Sequence, residues 1–314
     1  MKKICVTGAS GFVGSSICKT LGLLEKPTIG FVRKLYPFLQ NNKVEYVSIG
    51  DICLDINWKD HFYGNDFIIH CAGIAHNSNR NDNQDIYRQT NVESTKRIAE
   101  HAVEAGIKRL IFLSSVKVYG ESKLSDSNRK IISINDTPNP QDAYAKSKFE
   151  AENILLEISA KTNLEVVIIR LPLVYGHGVK GNLAKLINII RSGIPLPFSQ
   201  VKNQRSMIGI DNLVDMIQVC IEHPNAAGKI FLVSDDNDLS TRQLIEYISS
   251  SMGNSANLFP IPISILKLVG RLTGKESEIH RLIGSLQVDI GQTCKILNWK
   301  PTISVEEGIK RMII

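Results

Sequence analysis

Tyr144-Ala145-Lys146-Ser147-Lys148 sets a phenol and an ammonium four residues apart. On a helix that spacing puts both on one face. A tyrosine with its usual pKa of about 10 is a poor base at neutral pH. A nearby ammonium favours the phenolate and lowers that value. Such a pair can exchange a proton with an alcohol or a ketone. Tyr-x-x-x-Lys arises by chance in many chains, so its company matters. Ser114-Ser115 ends the apolar run Lys108–Ser115. A hydroxyl there can hold the oxygen whose proton the phenol exchanges; the bland alternative is strand-end capping.

A second constellation stands near the N-terminus. Gly8-Ala9-Ser10-Gly11-Phe12-Val13-Gly14 follows the apolar run Lys2–Thr7 and opens a helical stretch, Phe12–Leu24. Glycines permit a tight turn and a close approach of backbone to a pyrophosphate. The helix start behind them offers free N–H groups and partial positive charge. The strand–loop–helix setting reads as a dinucleotide site. The next strand ends in Arg33-Lys34, where such sites commonly carry an acid for the adenosine ribose. Two cations suit a 2′-phosphate, which favours NADP over NAD; the alternative is a pair of solvated loop charges. Asp51 can accept from the adenine amino group or serve as a turn residue.

Elements of matching period must hold these groups. Lys2–Thr7, Thr28–Arg33, Val44–Ile49, Phe67–Cys71, Lys108–Ser115 and Glu165–Leu171 read as strands, with Phe12–Leu24, Tyr87–Ala105 and Tyr144–Lys161 as helices between them. Strands apolar throughout and separated by helices predict an α/β fold with a doubly wound parallel sheet. Its ligands lie beyond the carboxyl ends of the strands. After Pro172 the pattern loosens. A strand at Lys229–Val233 is expected to rejoin the sheet. The reading therefore divides the chain into a dinucleotide-binding part, 1–172 plus 206–233, and a smaller, mostly helical C-terminal substrate lobe, 173–205 plus 234–314.

At 314 residues, 43% hydrophobic and 22% charged, the chain has the composition of a globular protein, which excludes disordered and fibrous classes. Its net charge of +6 includes no Lys/Arg block, so no nucleic-acid partner is expected. No apolar stretch is long enough to span a bilayer, so no membrane partner is expected either. The six cysteines form no CxxC pair and read as reduced thiols of a cytoplasmic protein. The histidines show no metal-ligand spacing, so no metal is expected.

Taken together, VTGASGFVG (6–14), GDI (50–52), HCAGIA (70–75), Asn91, FLSSVKVYG (112–120), YAKSK (144–148), RLPLVYG (170–176) and RSMIGIDNLVD (205–215) resemble the extended short-chain dehydrogenases/reductases, in the nucleotide-sugar epimerase/dehydratase group. The resemblance implies Ser115, Tyr144 and Lys148 as a catalytic triad. Ser115 is chosen over Ser114 because the family's hydroxyl stands four before the tyrosine of the VYG element. It implies Gly8, Gly11, Phe12, Val13 and Gly14 as the cofactor loop, and Asp51 and Ile52 as the adenine pocket. Ala72 and Gly73 match backbone beside the cofactor. Asn91 matches a residue ordering the strand ends, and Pro172 and Leu173 lie near the nicotinamide. Asn182 and Arg205 match diphosphate contacts.

There are departures. Family dehydratases follow the hydroxyl with an Asp-Glu pair, where this chain has Val116 and Lys117; galactose-type epimerases carry Phe-Asn, where it has Leu173-Val174. Their second diphosphate arginine is missing from Gly284–Asp289. Lys117 either meets a substrate oxygen or points to solvent. The resemblance implies a UDP-sugar substrate, a homodimer through helices Tyr87–Ala105 and Tyr144–Lys161, and chemistry at carbon 4. Three readings follow: a UDP-4-keto-6-deoxyhexose reductase using NADPH, a UDP-hexose 4-epimerase with bound NAD, or a noncatalytic dinucleotide-binding sensor.

Overall fold

Short runs of Ile, Val and Phe form the centre of the molecule. A computed structural model describes residues 2–37, 43–75, 84–120 and 131–314. In chain order these form β1 (Ile4–Thr7), α1 (Phe12–Leu23), β2 (Thr28–Val32), β3 (Glu45–Ser48), α2 (Trp58–Phe62), β4 (Phe67–His70), α3 (Gln84–Tyr87), α4 (Ser94–Glu104), β5 (Arg109–Ser115), β6 (Ile131–Ile132), α5 (Ala143–Lys161) and β7 (Glu165–Leu171). The chain continues through β8 (Leu173–Tyr175), α6 (Gly181–Arg191), β9 (Met207–Gly209), α7 (Ile210–Glu222), β10 (Ile230–Leu232), α8 (Thr241–Ser251), α9 (Ile263–Leu272), α10 (Glu276–Ile283), β11 (Gln287–Val288), α11 (Gly291–Leu297) and α12 (Val305–Ile313).

Seven strands make one sheet in the order β10-β7-β5-β4-β1-β2-β3, parallel throughout. The order reverses between β1 and β4, which opens a crevice at their carboxyl ends. Thr7 lies opposite His70 there, and Ser115 ends β5 opposite Leu171. The glycine loop, the β4 exit and the serine pair thus open on one edge.

Alternate residues of each strand feed opposite faces. Ile4, Val6, Ile69 and Ile111 join Ile17 and Leu21 of α1 and Leu213 and Ile217 of α7. Cys5, Ile68, Leu110 and Phe112 join Trp58 of α2, Ile98 and Ala102 of α4, and Ala151 and Leu155 of α5. A separate core, with Tyr175, Leu183, Phe198, Ile245, Ile248 and Ile309, holds the C-terminal lobe. Met207 packs in that lobe core, whereas Leu297 and Trp299 pack on the sheet. At these places packing departs from the division expected of the sequence.

The expected helix Tyr87–Ala105 is not continuous. A π-helical turn, Arg88–Glu93, separates α3 from α4. Such turns often mark functional sites, and this one carries Asn91. Arg97 of α4 donates to the carbonyls of Ile52 (3.4 Å) and Cys53 (2.9 Å).

Candidate active site

The β1–α1 loop is shaped by what it lacks. Gly8 has φ +67°, and a Cβ there would lie 2.8 Å from the Ala72 nitrogen. A Cβ on Gly14 would come within 2.2 Å of the Gly8 carbonyl oxygen. Gly11 caps α1 without a side-chain acceptor, and the first turn holds no acid. Its N–H groups are thus oriented for an anion. Phe12 and Val13 sit in that turn, packed on the sheet core. This backbone cradle fits the pyrophosphate of a nicotinamide dinucleotide.

At the carboxyl end of β2, on the same edge as the glycine loop, Arg33 and Lys34 are exposed. Asp51 accepts from the Cys53 N–H at 3.0 Å. That bond, with the Arg33 charge nearby, holds its carboxyl below the ordinary range. Ile52 is half-buried against the sheet core.

A chain of polar groups ties the strands together. Thr7 Oγ1 meets His70 Nδ1 at 2.6 Å, and His70 Nε2 meets Thr95 Oγ1 at 2.9 Å. Burial, with the Lys148 charge, pushes His70 down to about 3, so it stays neutral. Ala72 N donates to Thr7 Oγ1 at 3.3 Å. Asn91 accepts from Ile74 N (2.8 Å) and donates to Ile74 O (3.1 Å) and Ser147 Oγ (2.9 Å). A Cβ on Gly73 would sit 2.9 Å from Asn91 Oδ1 and 3.4 Å from Lys148 Nζ. The β4 exit therefore passes directly beside the lysine.

Ser115, Tyr144 and Lys148 gather at this edge. The Ser115 hydroxyl stands close enough to the Tyr144 phenol to favour its phenolate, and its Oγ accepts from Lys117 N at 3.2 Å. Tyr144 also lies 6.2 Å, ring to ring, from Tyr87. The phenol does not have the lowered pKa expected from the sequence. Burial pushes it up to about 12; the Ser115 hydroxyl opposes the rise, and Asp142 and Tyr87 add to it. Lys148 Nζ instead donates to the Leu113 carbonyl at 2.9 Å and lies 4.5 Å from the Phe112 ring centroid. Burial brings Lys148 down to about 8, with Cys71 and Glu152 acting in the opposite sense.

The two serines separate cleanly. Ser114 turns inward and donates to Glu152. Arg170, opposite Ser114 on β7, grips the same carboxylate at 2.6 Å through Nη2 and 3.1 Å through Nε. Its Nη1 reaches the Tyr119 hydroxyl at 2.5 Å. Glu152 and Arg170 are 1% and 3% exposed, so this buried pair locks α5 onto β5 and β7. The lock sits directly beneath Ser115 and Lys148. Sequence reading passed over both residues. The signals were present: Glu152 continues the 144, 148 stripe by one more turn, and Arg170 interrupts an apolar strand.

Lys117 is not a free solvent charge. Its Nζ meets Asp142 Oδ2 at 2.9 Å. Asp142 caps α5 through its other oxygen, on Ala145 N at 2.7 Å. Pro172 is buried and Leu173 exposed at the β7–β8 junction, and Asn182 is exposed in the first turn of α6. Arg205 donates through Nη1 to the carbonyls of Arg281 (2.7 Å) and Gly284 (3.2 Å), so it caps the end of α10. The Arg281 charge also acts on Asp142, which brings α10 to the catalytic end. Among the described residues, no group of three or more His, Cys, Asp or Glu could hold a metal.

The NAD dependent epimerase/dehydratase family matches residues 4–234. A UDP-glucose 4-epimerase of Vibrio cholerae is 38% identical over 99% of this chain and 94% of its own. A dTDP-4-dehydro-6-deoxyglucose reductase of Escherichia coli is 22% identical over 99% and 96%. Among solved structures, the UDP-glucuronic acid 4-epimerase of Bacillus cereus, in complex with UDP-glucuronic acid and NAD, superposes with a TM-score of 0.80. It is 22% identical, covers 99% of this chain and 98% of that one, and shares the fold.

Proposed function

The chain belongs to the NAD dependent epimerase/dehydratase family, as an extended short-chain dehydrogenase/reductase enzyme, and on that premise we propose that it reduces the 4-keto group of a UDP-linked 6-deoxyhexose. What supports this direction is the end of β2, where Arg33 and Lys34 are exposed and no acid stands, together with Leu173-Val174 where galactose-type epimerases carry Phe-Asn.

In this proposal Ser115 donates to the carbon-4 oxygen and fixes it against the phenol. Tyr144 gives that oxygen its proton as the ketone becomes an alcohol. A nicotinamide dinucleotide held by the residues named below would supply the hydride. Lys148, with the Leu113 carbonyl and the Phe112 face holding its Nζ, grips the nicotinamide ribose and offsets the phenolate left behind. The Gly8–Gly14 backbone binds the pyrophosphate, with Asp51 and Ile52 at the adenine, Ala72 and Gly73 along the cofactor, and Pro172 and Leu173 at the nicotinamide. Arg33 and Lys34, with no acid at the end of β2, favour NADPH. Asn182 and Arg205 flank the substrate diphosphate. Val116 and Lys117 supply no carboxylate pair for dehydration, and Lys117 is committed to Asp142.

A second reading rests on the 38% identical UDP-glucose 4-epimerase: the same phenol would first take, then return, the carbon-4 hydroxyl proton while the cofactor is regenerated. Purified protein is to be incubated with UDP-glucose, UDP-N-acetylglucosamine and a UDP-4-keto-6-deoxy sugar, with and without NADPH or NADH. NADPH loss with the keto sugar alone is the expected outcome. Interconversion of UDP-hexoses without added cofactor assigns the epimerase. The homodimer is part of this proposal. The outer faces of α4 and α5, which would pair, carry exposed Lys96, Glu100, Lys146 and Glu150, and sedimentation in high salt tests whether charge holds them.

A further inference from the structure

We infer that α9 rests on an anionic lipid surface, its apolar stripe among the headgroups and its cations on lipid phosphates. Exposed large apolar side chains are scattered over most of the protein. Between residues 259 and 272 they concentrate: Phe259, Ile263, Ile265, Leu268, Val269 and Leu272 are all exposed. Positions 265, 268, 269 and 272 recur at helical spacing and form one outward stripe along α9.

The inner seam of this helix is narrow. Leu266 enters the lobe core, and Gly270 lets α10 approach, since a Cβ there would lie 3.0 Å from Ile279 Cγ1. A helix of a globular protein ordinarily turns its apolar face to the core; this one turns the larger share outward.

Charge selects the occupant. From Asn254 to Lys275 the chain holds no Asp or Glu and carries Lys267, Arg271 and Lys275. Arg271 reaches its acid, Glu276, only in the next helix, at 3.2 Å. An apolar stripe flanked by cations without acids is the composition of a helix lying in a membrane interface, and anionic lipid attracts such cations. A second copy on the same stripe would bring two sets of three cations together with no acid in the stretch to offset them. A span is not involved: α9 has ten residues, and among the described residues no helix is long and apolar enough to cross a membrane. The sequence argument against a membrane partner addressed spans alone, and a surface helix escapes it.

The test is flotation of the full chain with vesicles of phosphatidylcholine alone or mixed with phosphatidylglycerol, at low and high salt. The expected result is recovery with the mixed vesicles at low salt, at least about tenfold above neutral vesicles, and release by salt. Leu268→Glu with Leu272→Glu should abolish recovery while thermal melting and turnover stay at wild-type values. Lys267→Gln with Lys275→Gln should weaken recovery and flatten its salt dependence. No flotation on mixed vesicles, or equal flotation on neutral ones, overturns the inference. So does a dimer in solution that the Leu268/Leu272 variant converts to monomer, which would assign the stripe to a second copy.

Discussion

The two ends of the cleft are built by opposite means. The end proposed for the cofactor phosphates is backbone: Gly8, Gly11 and Gly14 leave no room for side chains, and the first turn of α1 has neither a side-chain cap nor an acid. The hydride end is buried charge: Lys148, Glu152 and Arg170 are 6%, 1% and 3% exposed, with Lys117 and Asp142 at the rim. A backbone cradle fails when any atom is added to it. A charge network fails when one member is removed, and can recover when its partner is removed as well. This difference in how each end breaks is open to measurement.

The largest effect belongs to the hydride end. Tyr144→Phe removes one oxygen and the proton it carries, and should lower kcat by roughly 10²–10⁴-fold with nucleotide affinity little changed. Stopped-flow turnover and fluorescence titration of the reduced cofactor separate the two. Retained turnover would return the assignment to another group in the cleft.

Next comes the buried lock. Glu152→Gln leaves Arg170 charged and unpaired in the core, and should cost about 3–5 kcal/mol of stability, the usual range for breaking a buried pair. It also removes a charge that keeps the Lys148 pKa from falling below about 8. The ammonium is then lost at lower pH, so the alkaline decline of kcat should move toward neutral. Glu152→Leu combined with Arg170→Met should regain most of the stability in urea unfolding without restoring that limb. A limb that stays in place in Glu152→Gln would reduce the pair to a purely structural role.

At the phosphate end, Gly14→Ala forces a methyl to 2.2 Å from the Gly8 oxygen. Overpacking of this kind costs roughly 1–3 kcal/mol, which is about 5- to 150-fold in cofactor affinity if it falls on the bound state. No second substitution should rescue it, because the obstacle is main chain. Rescue by any side-chain change would erase the contrast between the two ends.

That contrast also governs what the sequence made legible. A glycine cradle announces itself, because Gly8, Gly11 and Gly14 are needed as residue types at fixed spacing. The sheet was legible because β1, β4 and β5 carry unbroken apolar runs, Ile4–Val6, Phe67–Ile69 and Leu110–Leu113. Glu152, Arg170 and Asp142 were passed over because a charged residue in a chain is ordinarily a solvated one; only the fold brings them together. The π-helical turn at Arg88–Glu93 left no mark on the apolar period. Strands of two or three residues, such as β6 and β8, are shorter than any period can reveal. Spacing shows that Lys148 shares a face with the phenol but not that the phenol is buried while the ammonium turns to the Leu113 carbonyl.

The smallest effect is the most discriminating. Asp142 does two jobs, capping α5 and placing a negative charge beside Tyr144. Asparagine caps a helix about as well as aspartate, so Asp142→Asn keeps the cap and deletes the charge. The carboxylate disfavours a neighbouring phenolate and raises the Tyr144 pKa. Its removal must lower that value. A charge at the half-exposed rim acts through a high effective dielectric, so the displacement should be under about one pH unit. The phenolate then forms at lower pH, and a reduction that needs the protonated phenol should decline at lower pH too. Ultraviolet difference titration of Asp142→Asn, with Asp142→Asn/Tyr144→Phe subtracting the other tyrosines, reads the displacement directly. A shift to higher pH, or none, would mean that the rim pair acts only through the helix start, leaving the buried groups to set the proton affinity of Tyr144.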